Sequence, residues 1–243
     1  MPQQRTPSDY IYVALDTAEA AKARALVDTL RGKVGGFKVG MEFYTALGAQ
    51  GVRDVIGDEP VFFDLKLHDI PNTVAGAVRA LVGLKPKILN VHASGGTAMM
   101  QAAVKAAKQG AKSHRVPVPW VIGVTVLTSL DEGDLGAIGQ SIPVAKQVVR
   151  LATLAKDAGL DGVVCSPREI SLVRGACGDD FKLITPGIRP SWAVRGDQKR
   201  VMTPRDAVAA GADVIVIGRP ITGADDPVSA ADRIAEEIEG VTV

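Results

Sequence analysis

Short β-rich apolar runs alternate with Ala-rich, helix-like segments along nearly the whole chain. The predicted strands are Tyr10–Leu15, Phe37–Val39, Val61–Leu67, Ile88–His92, Trp120–Leu127, Gly162–Cys165, Lys182–Thr185 and Val214–Gly218. Between them, Ala18–Leu30, Thr97–Gln109, Val144–Ala158, Pro204–Ala210 and Pro227–Glu239 read as helices. Successive strand starts lie about the distance apart that a strand, a helix and two loops need for one parallel crossover. Eight strand–helix units in 243 residues predict an α/β fold, a single (β/α)8 TIM barrel spanning residues 1–243. A doubly wound open sheet would show the same alternation, but no G-x-G-x-x-G follows the first strand and no G-x-x-x-x-G-K-[ST] occurs. Two connections, Thr128–Pro143 and Pro186–Thr203, are longer than a barrel requires, and such loops usually carry function.

Composition narrows the classes. The chain is 47% hydrophobic and 23% charged, which is ordinary globular material. Its 28 Lys and Arg against 27 Asp and Glu give a net charge of +1. That balance disfavours a polybasic nucleic-acid surface, so an anionic ligand has to be held by a few placed groups. Cys165 and Cys177 match no zinc spacing and no disulfide scaffold, and are expected to be reduced, buried thiols. The longest uncharged run, Ile88–Val104, is too short and too polar to span a bilayer. Met1–Ser8 is polar, lacks the apolar stretch of a signal peptide, and is expected to be a flexible lead-in to a cytoplasmic chain.

In a (β/α)8 barrel the chemistry sits at the carboxyl ends of the strands. Those ends read Asp16, Lys38, Asp64 with Lys66, His92, Thr128, Pro186–Arg189, and Gly218 with Arg219. The third unit is the densest, running Asp64-Leu65-Lys66-Leu67-His68-Asp69-Ile70-Pro71-Asn72-Thr73. Strand residues two apart point the same way, so Asp64 and Lys66 are expected to project together, with Leu65 and Leu67 on the opposite face. Inward charges are costly unless paired, so an ion pair is the least these two can form. Neighbouring carboxylates favour a protonated lysine, which suits a proton donor to a carbanion rather than a Schiff-base amine. Asp16, Asp64 and Asp69 would also suit a divalent cation, but Lys38 and Lys66 at the same mouth would repel it. At the eighth strand, Gly218 allows close backbone approach and Arg219 can fork to phosphate oxygens. His92 is as well explained by a structural role as by a catalytic one, and His68 and His114 carry no partner signal.

The ten residues from Asp64 to Thr73 resemble the signature of the orotidine 5′-monophosphate decarboxylase family. Leu127-Thr128-Ser129, Thr185-Pro186-Gly187-Ile188-Arg189-Pro190, Gly196-Asp197-Gln198-Lys199-Arg200 and Ile217-Gly218-Arg219-Pro220 are similar, in the same order, to its bacterial branch. The resemblance runs from Tyr10 across essentially the whole chain. It implies cofactor-free conversion of orotidine 5′-monophosphate to uridine 5′-monophosphate, the last step of de novo pyrimidine nucleotide synthesis. It implies a homodimer in which Lys38, Asp64, Lys66 and Asp69 form a charge network, with Asp69 and Thr73 reaching the neighbouring subunit's site. By the same resemblance Asp16 and Lys38 contact the ribose, Thr128 the pyrimidine, and Arg189, Gln198, Gly218 and Arg219 the phosphate. Ile70 and Pro186 are carried over as substrate-binding positions. No metal, nucleic acid or membrane partner is implied.

Two other functions compete. A sibling of the same superfamily acts on a sugar phosphate such as 3-keto-gulonate 6-phosphate through a metal-stabilised enediolate, and shares the Asp-x-Lys-x-x-Asp pattern. It would want a carboxylate after the second strand, where this chain has Lys38. A non-catalytic nucleotide-binding barrel would be expected to have lost part of the charge network, and all four members are present.

Overall fold

The computed structural model describes residues 5–140, 143–193 and 202–241. Eight strands pair in chain order and close on themselves as a parallel (β/α)8 barrel. They are β1 (Ile11–Leu15), β2 (Gly36–Gly40), β3 (Val61–Leu67), β4 (Ile88–His92), β5 (Trp120–Val124), β6 (Gly162–Val164), β7 (Lys182–Thr185) and β8 (Val214–Ile217). The expected strands are all present. The fifth ends three residues early, at Val124; the next residue, Thr125, donates both its N–H, at 3.3 Å, and its hydroxyl, at 2.9 Å, to the Val164 carbonyl.

The chain forms two compact units, one of residues 1–64 with 185–243 and one of residues 65–184. In the first, β1 lies between β2 and β8, with Val13 facing Phe37 on one side and Ile217 on the other. All residues of β1, β2 and β8 are buried; β1 and β8 are unbroken apolar runs, whereas β2 carries Lys38 at its centre. Its helices are α1 (Ala20–Leu30), α2 (Met41–Ile56, interrupted at Gly48), and those after β7 and β8 described below. Arg5 donates to the Asp213 carbonyl at 2.7 Å and lies 3.9 Å over the Tyr10 ring. Residues 5–10, the last of them a 3₁₀ turn from Pro7, are therefore tied down where a flexible lead-in is expected.

The second unit holds α3 (Pro71–Val82), α4 (Thr97–His114), α5 (Glu132–Ala137), α6 (Val144–Asp157) and α7 (Ile170–Cys177). α3 begins at Pro71, whose missing N–H costs nothing at the first helical position. Gly110 of α4 is buried, and a Cβ there would sit 3.1 Å from Val82, so the glycine lets α3 and α4 pack closely. The long connection after Thr128 is partly helical: Asp131 accepts from the Asp134 N–H and Asp134 from the Asp131 N–H, a reciprocal cap that starts α5. Cys165 and Cys177 are free and buried, and burial pushes the Cys177 thiol up. Among the described residues no helix is long and apolar enough to cross a membrane. The first unit's remaining helices are α8 (Pro204–Ala209), α9 (Arg219–Thr222) and α10 (Pro227–Ile238).

Burial raises the Tyr12 phenol from 10.0 to about 12, with Arg5 opposing the shift and Asp9 adding to it. The folded chain therefore holds this proton more tightly than the unfolded chain. The associated stability is intact below pH 10 and is lost as pH rises toward 12. In denaturant titrations between those limits, Tyr12→Phe should remove roughly 2–3 kcal/mol of the parental decline. Identical alkaline limbs would contradict this.

Candidate active site

The most confined charge in the first unit is Lys38, in the middle of β2 and 8% exposed. Its register places it beside Ala14 of β1 and Phe62 of β3, neighbours that offer no polar side chain. An ammonium in that position is unfavourable unless compensated. Two carboxylates at the strand ends do so: Nζ donates to Asp16 Oδ1 at 3.0 Å and lies 3.6 Å from Asp64 Oδ2. The Asp64 side chain is largely buried, whereas that of Asp16 is mostly exposed and open to a ligand.

Gly40 makes this arrangement possible, and the sequence reading missed it. Its backbone, at φ −88° and ψ −178°, would accept any residue. A Cβ there, however, would come within 3.0 Å of Lys38 Nζ and 3.2 Å of Asp16 Oδ1. The absent side chain is the space that the ion pair occupies. The available signal was a glycine two places after a strand lysine, where strand alternation puts both on one face.

Asp16 and Lys38 line one cavity of about 170 Å³ together with Pro186, Gly187, Arg189, Gly218 and Arg219. Gly187 has φ 79°, a left-handed conformation that favours glycine, and it turns the chain immediately after Pro186. Arg189 is then fixed by its own N–H, which donates to the Met202 carbonyl at 3.0 Å, and by its Nη1, which donates to Ile188 O at 3.0 Å. Arg189 is buried, while Arg219, at the start of α9, is exposed. Both arginines also line an adjoining hollow of about 410 Å³ with Trp192. The cavity thus offers an ammonium and a carboxylate suited to hydroxyl groups, and guanidinium and glycine groups suited to a phosphate.

In the second unit, β3 continues past Asp64 in an altered conformation. Lys66 has φ 52°, so the two-residue alternation expected for Asp64 and Lys66 is interrupted at Lys66. Leu65 and Leu67 are both half-buried rather than packed on a covered face. The Lys66 N–H donates to Asn90 Oδ1 at 2.7 Å. Asp69 Oδ1 accepts from the Ile70 N–H at 2.6 Å, and Asp69, Ile70 and Thr73 are exposed, Ile70 by 67%. Thr128 is half-buried in the turn after β5. The His92 ring lies 5.3 Å from that of His68. Gln198 lies outside the described residues. Among the described residues no group of three or more His, Cys, Asp or Glu is arranged to hold a metal ion.

A (β/α)8 barrel with a carboxylate-flanked lysine and two arginines around a cavity at its strand ends falls in the class of barrels that bind phosphorylated small molecules. The model of the orotidine 5′-phosphate decarboxylase / HUMPS family matches residues 9–234, and the chain belongs to that family. A relative named orotidine 5′-phosphate decarboxylase from Paramagnetospirillum magneticum is 56% identical over 229 residues, 94% of this chain and 97% of its own. Another of that name, from Rhodospirillum rubrum, is 54% identical over 242 residues, 99% and 98% of the two chains. The crystal structure of the Lactobacillus acidophilus orotidine 5′-phosphate decarboxylase is similar with a TM-score of 0.83 and 36% identity, covering 95% of this chain and 99% of that one.

Gly40→Ala should leave the backbone intact and open the Lys38–Asp16 contact. A crystal structure of this variant should show the Nζ–Oδ1 distance lengthened beyond hydrogen-bond range, about 3.5 Å. An unchanged pair would show that the strand end has room to spare.

Proposed function

We propose that this chain decarboxylates orotidine 5′-monophosphate to uridine 5′-monophosphate, using its own side chains and no cofactor. The observation that carries the reading is Lys38 held between Asp16 and Asp64 on the cavity that Arg189 and Arg219 also line. The relatives' names and the Asp64–Thr73 signature support the same substrate.

In this reading the phosphate is held by Arg189, Gln198, Gly218 and Arg219. Asp16 and Lys38 bind the ribose, and Thr128, Ile70 and Pro186 contact the remainder of the nucleotide. The bond between the ring carbon C6 and the carboxylate breaks, carbon dioxide leaves, and the electron pair stays on C6. That pair lies in the ring plane and is poorly delocalised, so it needs a fixed positive charge. Lys66, set between Asp64 and Asp69 in the network, stabilises the charge and then transfers a proton from Nζ to C6, recovering one from solvent. Asp64 lies near the departing carboxylate. The exposure of Asp69, Ile70 and Thr73 on a single chain supports a homodimer in which they complete the neighbouring subunit's site.

The phosphate is remote from the breaking bond, yet its contacts contribute to the transition state by holding the closed complex together. The metal-dependent sibling activity is disfavoured because Lys38 engages the two carboxylates that a cation would need.

An absorbance assay of orotidylate to uridylate conversion in the presence of EDTA tests the reading. Turnover insensitive to chelator is expected; no conversion, or loss of activity that added metal restores, would refute it. Lys66→Ala should lose at least about 10²–10³ in kcat, equivalent to ~3–4 kcal/mol of transition-state stabilisation. A substrate lacking the phosphate should lose much of its kcat/KM, and Arg219→Ala should shrink that difference. Equal penalties on both substrates would remove the phosphate from the account.

A further inference from the structure

Lys66 is one of only a few non-glycine residues with positive φ among the described residues, and it lies within a strand. The left-handed conformation is unfavourable for an L-residue with a long side chain. The Lys66 N–H needs an acceptor. The acceptor is the side chain of Asn90, in the middle of β4 and 1% exposed, whose Oδ1 receives the Lys66 N–H at 2.7 Å.

An amide side chain in the middle of a strand that is otherwise apolar and buried is an unfavourable choice for packing alone. Valine or leucine would fill the site without a polar group to satisfy. Asn90 is thus explained by what it accepts. Two residues further along each strand, His68 and His92 meet with ring centroids 5.3 Å apart, so the β3 extension is held to β4 at two successive points. A Cβ at Gly95 would come within 3.2 Å of the His68 ring, so that glycine leaves the ring its place.

We propose that Asn90 is a positioning residue for Lys66: its buried carbonyl oxygen holds the left-handed backbone from which the lysine side chain departs. This rests on the reading of Lys66 as the proton donor. With the hydrogen bond in place, the side chain leaves the strand in a direction that regular pleating would not provide. Without it, the backbone relaxes toward the β region and Nζ moves off its target. A misplacement on the order of 1 Å is enough to cost about 10² in rate.

The experiment compares Asn90→Leu, which keeps the volume and removes the acceptor, with Asn90→Asp, which keeps an oxygen in the same place. Hydrogen exchange of the Lys66 amide is read on the full chain without substrate, and kcat and KM are read separately. Asn90→Leu should exchange the Lys66 amide at least about tenfold faster and lower kcat at least about tenfold, with KM within about threefold of the parent. Asn90→Asp should keep the amide protected and recover most of kcat.

Parental kcat in Asn90→Leu would overturn the proposal. So would an equal loss of protection across all of β4, which would mark a general packing defect, or an Asn90→Asp variant as impaired as Asn90→Leu. The exchange measurement requires no turnover. A parent chain that failed to decarboxylate would therefore refute the functional reading while leaving the Asn90–Lys66 contact separately tested.

Discussion

The structure depends most on one buried ammonium. Lys38 lies on β2 between β1 and β3, and Asp16 and Asp64 approach it from the ends of the two flanking strands, offsetting the cost of burying a charge there. The requirement propagates outward. A side chain at Gly40 would crowd the ion pair, its Cβ falling 3.0 Å from Lys38 Nζ and 3.2 Å from Asp16 Oδ1. Asp64 must end the buried part of β3, so the residues after it begin where the strand leaves its regular path. Both carboxylates face the lysine and help to orient it.

The chain beyond Asp64 follows a different rule. Up to Phe63, β3 is apolar and fully covered; from Asp64 onward every residue is at least partly accessible. Strain is concentrated at Lys66, and a buried asparagine on the next strand offsets it. Such sparsely populated backbone persists only where the surroundings over-determine it, which is the usual condition of groups held ready for chemistry. In the proposed reaction this division separates two tasks: the charges on β2 and at the ends of β1, β7 and β8 grip the sugar and phosphate, while a strained, polar extension presents the acid.

Much of this was legible in the amino-acid order. Continuous apolar runs in β1 and β8 announced strands, and the polar residues directly after them marked the working end of the barrel. Asp16, Lys38, Arg189 and Arg219 were identified on that ground, and all four line one cavity. The misses have physical causes. Strand periodicity assumes regular pleating, so it could not foresee the left-handed turn at Lys66 or the acceptor that turn requires from Asn90. Gly40 left no mark because its role is an absence of atoms, visible only against the side chains around it. The capped helix after Asp131 was hidden in a stretch whose glycines and acidic residues read as loop.

The most direct test is a crystal structure of the chain with uridine 5′-monophosphate bound. The account predicts the phosphate on Arg189 and Arg219, the ribose hydroxyls on Asp16 and Lys38, and Lys66 Nζ within proton-transfer reach of C6, about 3 Å. A nucleotide seated with its ring turned away from Lys66, or with Nζ farther than about 5 Å from C6 in a closed complex, would contradict it.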